Sequence, residues 1–278
     1  MKSILIINDN SPEAKHAAEF ALRIAQKTKA NLTLANTFVK TQKSVGLVTA
    51  GNSGNIVMEG YQTSKLLEHL KVLSDKDVAD FKPQIEELDA SAMDECGLAG
   101  VINLNQTWMI IKGMGETASA ESAQHGLNMH VVLNKVLCPL FLIPVGWPVK
   151  DIERMVYIAD LRYCRIQVVR YLAELARPWG ADLSIAHTSA KGLPDMAEKY
   201  ALTVFSDEIG KNVKYDQLFF NNIKEKDLSK TVDVLINGMH NDVLVMVNHR
   251  FHFEEILGRY ITDTLPVHLN IPLLIFPY

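Results

Sequence analysis

The sequence predicts an α/β protein built from two tandem, doubly wound domains, each around a five-stranded parallel sheet. Three observations predict it. Short apolar runs alternate with segments of helical period along the whole chain. The strand candidates are apolar throughout rather than alternating, as in strands buried on both faces of a parallel sheet. The order of elements then begins again after the breaker-rich stretch Pro144, Gly146, Pro148, which places domains at 1–146 and 151–278.

In the first half, Ser3 to Asn8 reads as a strand. Ala14, Ala17, Ala18, Ala21, Leu22 and Ala25 follow at helical spacing, with Ser11 as N-cap and Pro12 in the first turn. Asn31 to Thr37 is the next strand. Lys40 to Gly60 holds four glycines without periodicity and reads as a mobile loop, a possible lid over the first-half site. Ser64 to Ala79 is then helical, Gln84 to Leu88 a strand, Ala92 to Leu104 a helix and Thr107 to Ile111 a strand. Asn128 to Val136 is a helix and Leu140 to Ile143 a strand.

The second half repeats the order. Its strands are Met155 to Ala159, Asp182 to Ala186, Val213 to Phe219, Val243 to Val247 and Leu273 to Phe276. Its helices are Ile166 to Ala176, Met196 to Ile209, Leu228 to Met239 and a last one around Ile261 to Leu269, kinked or delayed by Pro266. Corresponding landmarks support the repeat. One first strand ends in Asp9 and the other in Asp160, and Cys138 to Pro144 matches Ile271 to Pro277.

Composition narrows the function classes. The chain has 278 residues, 48% hydrophobic and 22% charged, enough for two cores of ordinary size. A net charge of −4 offers no general attraction to nucleic acid or anionic membrane. No apolar run is long enough for a signal peptide or membrane span. Cys96, Cys138 and Cys164 lack any CxxC pairing and read as reduced thiols of a cytoplasmic protein. The sequence contains no GxSxG nucleophile elbow, and His249 and His252 lack the further ligands that would make a zinc site specific. Catalytic and metal-binding residues are therefore not expected.

These landmarks, Asp9-Asn10-Ser11, Cys138 to Pro144, Asp242 to His249 and Asn270 to Pro277, resemble the universal stress protein family, twice over nearly the whole chain. The resemblance implies an adenine nucleotide alpha hydrolase-like fold in each half, packed as an internal pseudo-dimer, with further homodimerisation open. ATP-binding members carry G-x2-G-x9-G-[ST] between fourth strand and fourth helix. Here Gly113 takes the first position, Glu116 the second with Gly115 displaced by one, Gly126 the third, and Leu127 stands at the hydroxyl. Met246, His249, Arg259 and Tyr260 occupy the corresponding places in the second half, so little of the phosphate cradle is left there.

A carboxylate at Glu116 repels triphosphate, and Leu127 donates no hydrogen bond. Asp9 and Asp160 stand where the family uses an aspartate near adenine and ribose, or else each orients the turn that follows. No cofactor is expected, with ATP possible in the first half. The reading is a non-enzymatic stress-response regulator acting through protein partners. Its alternative is an ATP or AMP sensor, or slow ATPase, using Asp9, Gly113, Gly115 and Gly126. A third reading is a carrier whose Glu116 holds a cationic ligand.

Overall fold

Local chemistry at the start of the first helix shows how the chain lays elements down. Ser11 accepts the Ala14 N–H through its hydroxyl at 3.1 Å, Pro12 opens the helix without losing a bond, and Lys29 in a left-handed conformation closes it. A computed structural model describes residues 1–38, 65–77, 79–115, 127–262, 264, 266 and 269–278. The expected loop at 40–60, and the proposal of a lid there, lie outside the described residues.

The first half runs β1 (Ser3–Asn8), α1 (Pro12–Thr28), β2 (Asn31–Asn36), α2 (Lys65–Lys76), β3 (Ile85–Asp89), α3 (Glu95–Leu104), β4 (Met109–Met114), α4 (Met129–Leu133) and β5 (Leu140–Pro144). The second runs β6 (Arg154–Ala159), α5 (Ile166–Ala176), β7 (Asp182–His187), α6 (Glu198–Val204), β8 (Leu218–Asn222), α7 (Leu228–Asp233), β9 (Val243–Val247), α8 (Phe251–Leu257) and β10 (Leu273–Phe276). Helices α6 and α7 each continue as a π-helical segment, Phe205–Gly210 and Val234–Gly238.

Among the described residues, ten strands form one sheet in the order β3-β2-β1-β4-β5-β10-β9-β6-β7-β8. Every pairing is parallel except β5 with β10. There Leu142 lies opposite Leu273, Phe141 opposite Leu274 and Leu140 opposite Ile275.

Strand alternation sends Ile4, Ile6 and Ile111 to one face and Leu5, Ile7 and Ile110 to the other. The first face is covered by α1, α2 and α5, the second by α3, α4, α7 and α8. Each apolar cluster runs through both halves: one joins Phe141 to Met155 and Leu183, the other Leu142 to Val156 and Leu273. The interior is thus divided by the sheet, where the sequence suggested one core per half. Helix α5 also reaches across, its Tyr171 stacked 5.1 Å from the Trp108 ring and donating its hydroxyl to the Trp108 carbonyl.

Two expected elements move. The strand expected at Val213 to Phe219 is β8, which starts at Leu218 where it registers with Leu183. The Val213 N–H still bonds to the Ile209 carbonyl, so that residue closes the preceding helix. The helix expected at Ile261 to Leu269 is absent from its described residues. Helix α8 forms earlier, burying His252, Phe253 and Ile256, and Gly258 at φ 80 ends it. Thr264 instead makes a parallel bridge to Gly115, and Pro266 has no N–H to continue a helix.

The alanine face of α1 lets the helix lie close on the sheet, and the contact is tightest at Gly113 in β4. A Cβ there would stand 2.1 Å from the Glu13 carbonyl oxygen, a backbone atom that cannot swing away. Gly113→Ala is therefore expected to cost about 3 kcal/mol through overpacking. Urea unfolding measures it, and a loss within the ordinary surface range of about 0.5 kcal/mol would refute the contact.

Candidate functional site

In open α/β sheets, ligands bind beyond the carboxyl ends of strands where the strand order reverses. This sheet has two such points, between β1 and β4 and between β6 and β9. The expected site residues described fall at them: Asp9, Gly113 and Gly115 at the first, Asp160 at the second. Glu116 and Gly126 lie outside the described residues.

At the first point, a chain of amides orders the strand ends. Asn8 Nδ2 donates to Asn36 Oδ1 at 2.7 Å, and Asn36 Nδ2 to Glu87 Oε1 at 3.2 Å. Asp9 is exposed, and its carboxylate accepts the Ser11 N–H at 3.0 Å, an Asx turn that feeds α1. Gly113 is pressed against the start of α1, and Gly115 bridges Thr264. Nearby, a cavity of about 170 Å³ opens between Lys112, Met114 and Asn128 of the first half and Ile261 and Thr262 of the second.

The second point is built differently. Asp160 is only 3% exposed, and its carboxylate is saturated. It accepts from Arg162 Nη2 at 2.6 Å and Nε at 2.8 Å, from the Arg162 backbone N–H at 3.1 Å and from the Ala190 N–H at 3.0 Å. Burial pushes the Asp160 carboxyl upward, but these hydrogen bonds and the Arg162 charge prevail and hold it below the usual carboxylate range. Arg162 also donates to the Pro194 carbonyl at 3.1 Å, so one ion pair ties two loops together.

Two buried histidines back this pair. His187, at the end of β7, accepts the Leu161 N–H through Nδ1 at 3.2 Å, and His252 Nε2 faces the Thr188 carbonyl at 3.1 Å. Burial lowers the pKa of both and so favours the neutral imidazole. The crevice between β6 and β9 that remains, lined by Tyr157, Asp160, Tyr163, Arg250 and His252, is about 20 Å³. That is room for one water.

Sequence counting placed Met246 at the second-half equivalent of Gly113. The strand register corrects this by one residue. Val243 pairs with Met155 as Met109 pairs with Ile4, so Val247 stands where Gly113 does. The sequence reading missed Arg162, His187 and the Asn8–Asn36 pair. Asp160-x-Arg162 was a usable signal, since a single residue, Leu161, separates an acid from a guanidinium at a strand end. Nothing local marked His187, which reaches the site only through the β6–β7 pairing.

Other expected roles find simple places. His249 Nε2 contacts Asn134 Oδ1 at 2.9 Å, an interaction between the halves. Among the described residues, no three His, Cys, Asp or Glu side chains cluster closely enough to hold a metal ion. Cys138 is buried, which pushes its thiol up to about 12, away from nucleophilic character. Asp227 caps α7, so the run from Lys224 is a solvated helix entry. No described helix is long and apolar enough to cross a membrane.

No protein-family model and no curated protein sequence matches the chain. Solved structures do. A universal stress protein from Archaeoglobus fulgidus DSM 4304 aligns over 99% of this chain and 98% of its own, with a TM-score of 0.58 and 10% identity. A candidate universal stress protein from Pseudomonas aeruginosa UCBPP-PA14 aligns over 100% and 93%, with a TM-score of 0.54 and 13% identity. A functionally unknown protein from Pseudomonas aeruginosa PAO1 aligns over 100% and 92%, with a TM-score of 0.50 and 12% identity. At such identities the likeness is one of architecture, and it extends over both halves: the chain has the fold of the universal stress proteins.

Proposed function

We propose that this chain is a non-enzymatic, universal stress protein-like regulator that works through protein partners and has lost ATP binding in its second half. The observation that carries the reading is the Asp160–Arg162 pair. The carboxylate at the end of β6 has four donors and no free role, and the crevice beside it is about 20 Å³. Ligand pockets for drug-sized molecules run to roughly 300–1,000 Å³. Val247 fills the position of the cradle's first glycine with a side chain.

The two halves, 1–146 and 151–278, act in this proposal as tandem copies packed as an internal pseudo-dimer in the cytoplasm. The register supports it. Leu140 of β5 pairs with Ile110 where Leu273 of β10 pairs with Leu244, and the β5–β10 pairing reads the same from either side of Phe141 and Leu274.

A second reading, nucleotide sensing through the first half, has its own support. Asp9 is exposed and carries no ion pair among the described residues, unlike Asp160. The two readings separate on a thermal unfolding scan with millimolar Mg-ATP. A ligand selective for the native state raises stability by RT ln(1 + [L]/Kd), and each kcal/mol moves Tm by about 2–4 °C in a chain of this order. The regulator reading expects no rise. A rise abolished by Asp9→Ala would establish the sensor.

A further prediction follows from Asp160. Its folded pKa lies below its unfolded value of about 3.9, so it contributes stability above that pH, lost as pH falls through the folded value. Asp160→Asn is expected to cost about 2 kcal/mol at pH 7, because it leaves Arg162 half-paired in a partly buried site. In acid the difference between variant and parent should shrink toward zero. Denaturant melts at pH 7 and near pH 3 test both points, and a constant difference would show that the carboxylate's charge is irrelevant.

A further inference from the structure

Beyond the closed crevice, the carboxyl end of the second half presents an unusual surface. Arg165 and Arg250 converge there on one ring: the Arg250 guanidinium carbon lies 4.8 Å from the centre of Tyr278 and that of Arg165 lies 5.2 Å from it. Arg250 also lies 5.4 Å from the Tyr163 ring, and Phe251 sits 6.1 Å from Tyr163. The three rings remain open to solvent, Tyr163 at 41%, Phe251 at 46% and Tyr278 at 65%.

The charges are unbalanced. Neither guanidinium has a carboxylate within ion-pairing distance among the described residues. The Arg165 guanidinium donates to the Pro277 carbonyl, at 3.1 Å, and the buried Nε of Arg250 has no acceptor among the described residues. Asp160, the nearby carboxylate of the crevice, is committed to Arg162. Acids are not scarce in this chain, which has 32 against 28 basic residues, so their exclusion from this spot is local. A buried donor without an acceptor is destabilising, so the guanidinium of Arg250 is left incompletely satisfied by the chain itself.

The shape selects the kind of anion. The cavity beneath the rings, about 20 Å³, admits a single oxygen atom and no ring. Above it the surface is open, with aromatic and arginine side chains of the type that dominates protein interfaces. We propose that Arg165, Arg250, Tyr163, Phe251 and Tyr278 form a docking surface for an acidic segment of a partner protein. A carboxylate of that segment meets the two guanidiniums, and its apolar neighbours cover the rings. This names the class of partner for the regulator reading and rests on it.

The test uses the full chain and fluorescence anisotropy. The probe is a short fluorescein-labelled peptide of alternating Glu and Leu; its control has Gln in place of Glu. The acidic probe should bind saturably and the Gln control about tenfold more weakly. Arg250→Gln and Arg165→Gln should each weaken the acidic probe about tenfold, while Arg170→Gln, on the outer face of α5, leaves it within about twofold. Tyr278→Ala keeps both charges, and it too should weaken binding.

Failure of the acidic probe to saturate, equal affinity for both probes, or full affinity in both arginine variants would overturn the proposal. So would unchanged affinity in Tyr278→Ala together with displacement by millimolar inorganic phosphate, which would assign the arginines to a small anion. Circular dichroism confirms that each variant is folded. An ATP-induced rise in Tm sinks the regulator reading by itself, whereas a failed peptide titration without such a rise sinks only this surface.

Discussion

The fold depends on the antiparallel pairing of β5 with β10. Both strands are apolar along their length: Leu140 to Ile143 and Leu273 to Ile275 are fully buried, and Phe276 nearly so. Alone, each half would expose such a strand as a sheet edge, a template for unwanted pairing. Joined, they sit at the centre of ten strands, and the outer edges fall to β3 and β8. Those edges are differently made. β3 carries Glu86, Glu87 and Asp89, and β8 ends in Asn221 and Asn222, polar side chains that discourage further pairing. The same joint explains why each apolar cluster crosses from half to half, and why Tyr171 of α5 finds its partner in Trp108 of the other half.

That joint also brings the loops of the two halves together at the carboxyl ends of β4 and β9. Asn134, after α4, accepts from Asn248 at 2.7 Å and contacts His249 at 2.9 Å, while Gly115 bridges Thr264. Thr264, after α8, is held against the first half by that bridge. Its geometry follows from tertiary contact, and local periodicity could not reveal it. The apolar spacing of Ile261, Leu265 and Leu269 reads as helical by itself. Pro266 and the bridge decide otherwise.

Elements whose cause is local were legible. The cap and alanine stripe of α1 mark its start and its face, and α5 and β10 have the expected limits because their apolar patterns end at breakers. The candidate site was less legible, because one residue type serves two physical ends. Gly113 reads as a phosphate cradle from its spacing, yet its missing Cβ is also what lets α1 approach β4. Asp160 reads as a ligand-facing carboxylate, yet Arg162 two residues later consumes it. Separating these meanings takes the register of distant strands, which fixes the neighbours of each side chain.

The two switch points therefore hold the same aspartate in opposite states. At Asp9 the carboxylate faces solvent and shapes a turn; at Asp160 it is desolvated and bound in an ion pair that costs dehydration and returns specificity of loop placement. By pairing with Asp160, Arg162 takes up the carboxylate that the neighbouring cations would otherwise meet. Arg165 and Arg250 are then held by aromatic rings, which stabilise a cation without cancelling its charge. The ion pair that occupies Asp160 thus leaves, at the rim of the same crevice, the uncompensated charge of Arg165 and Arg250.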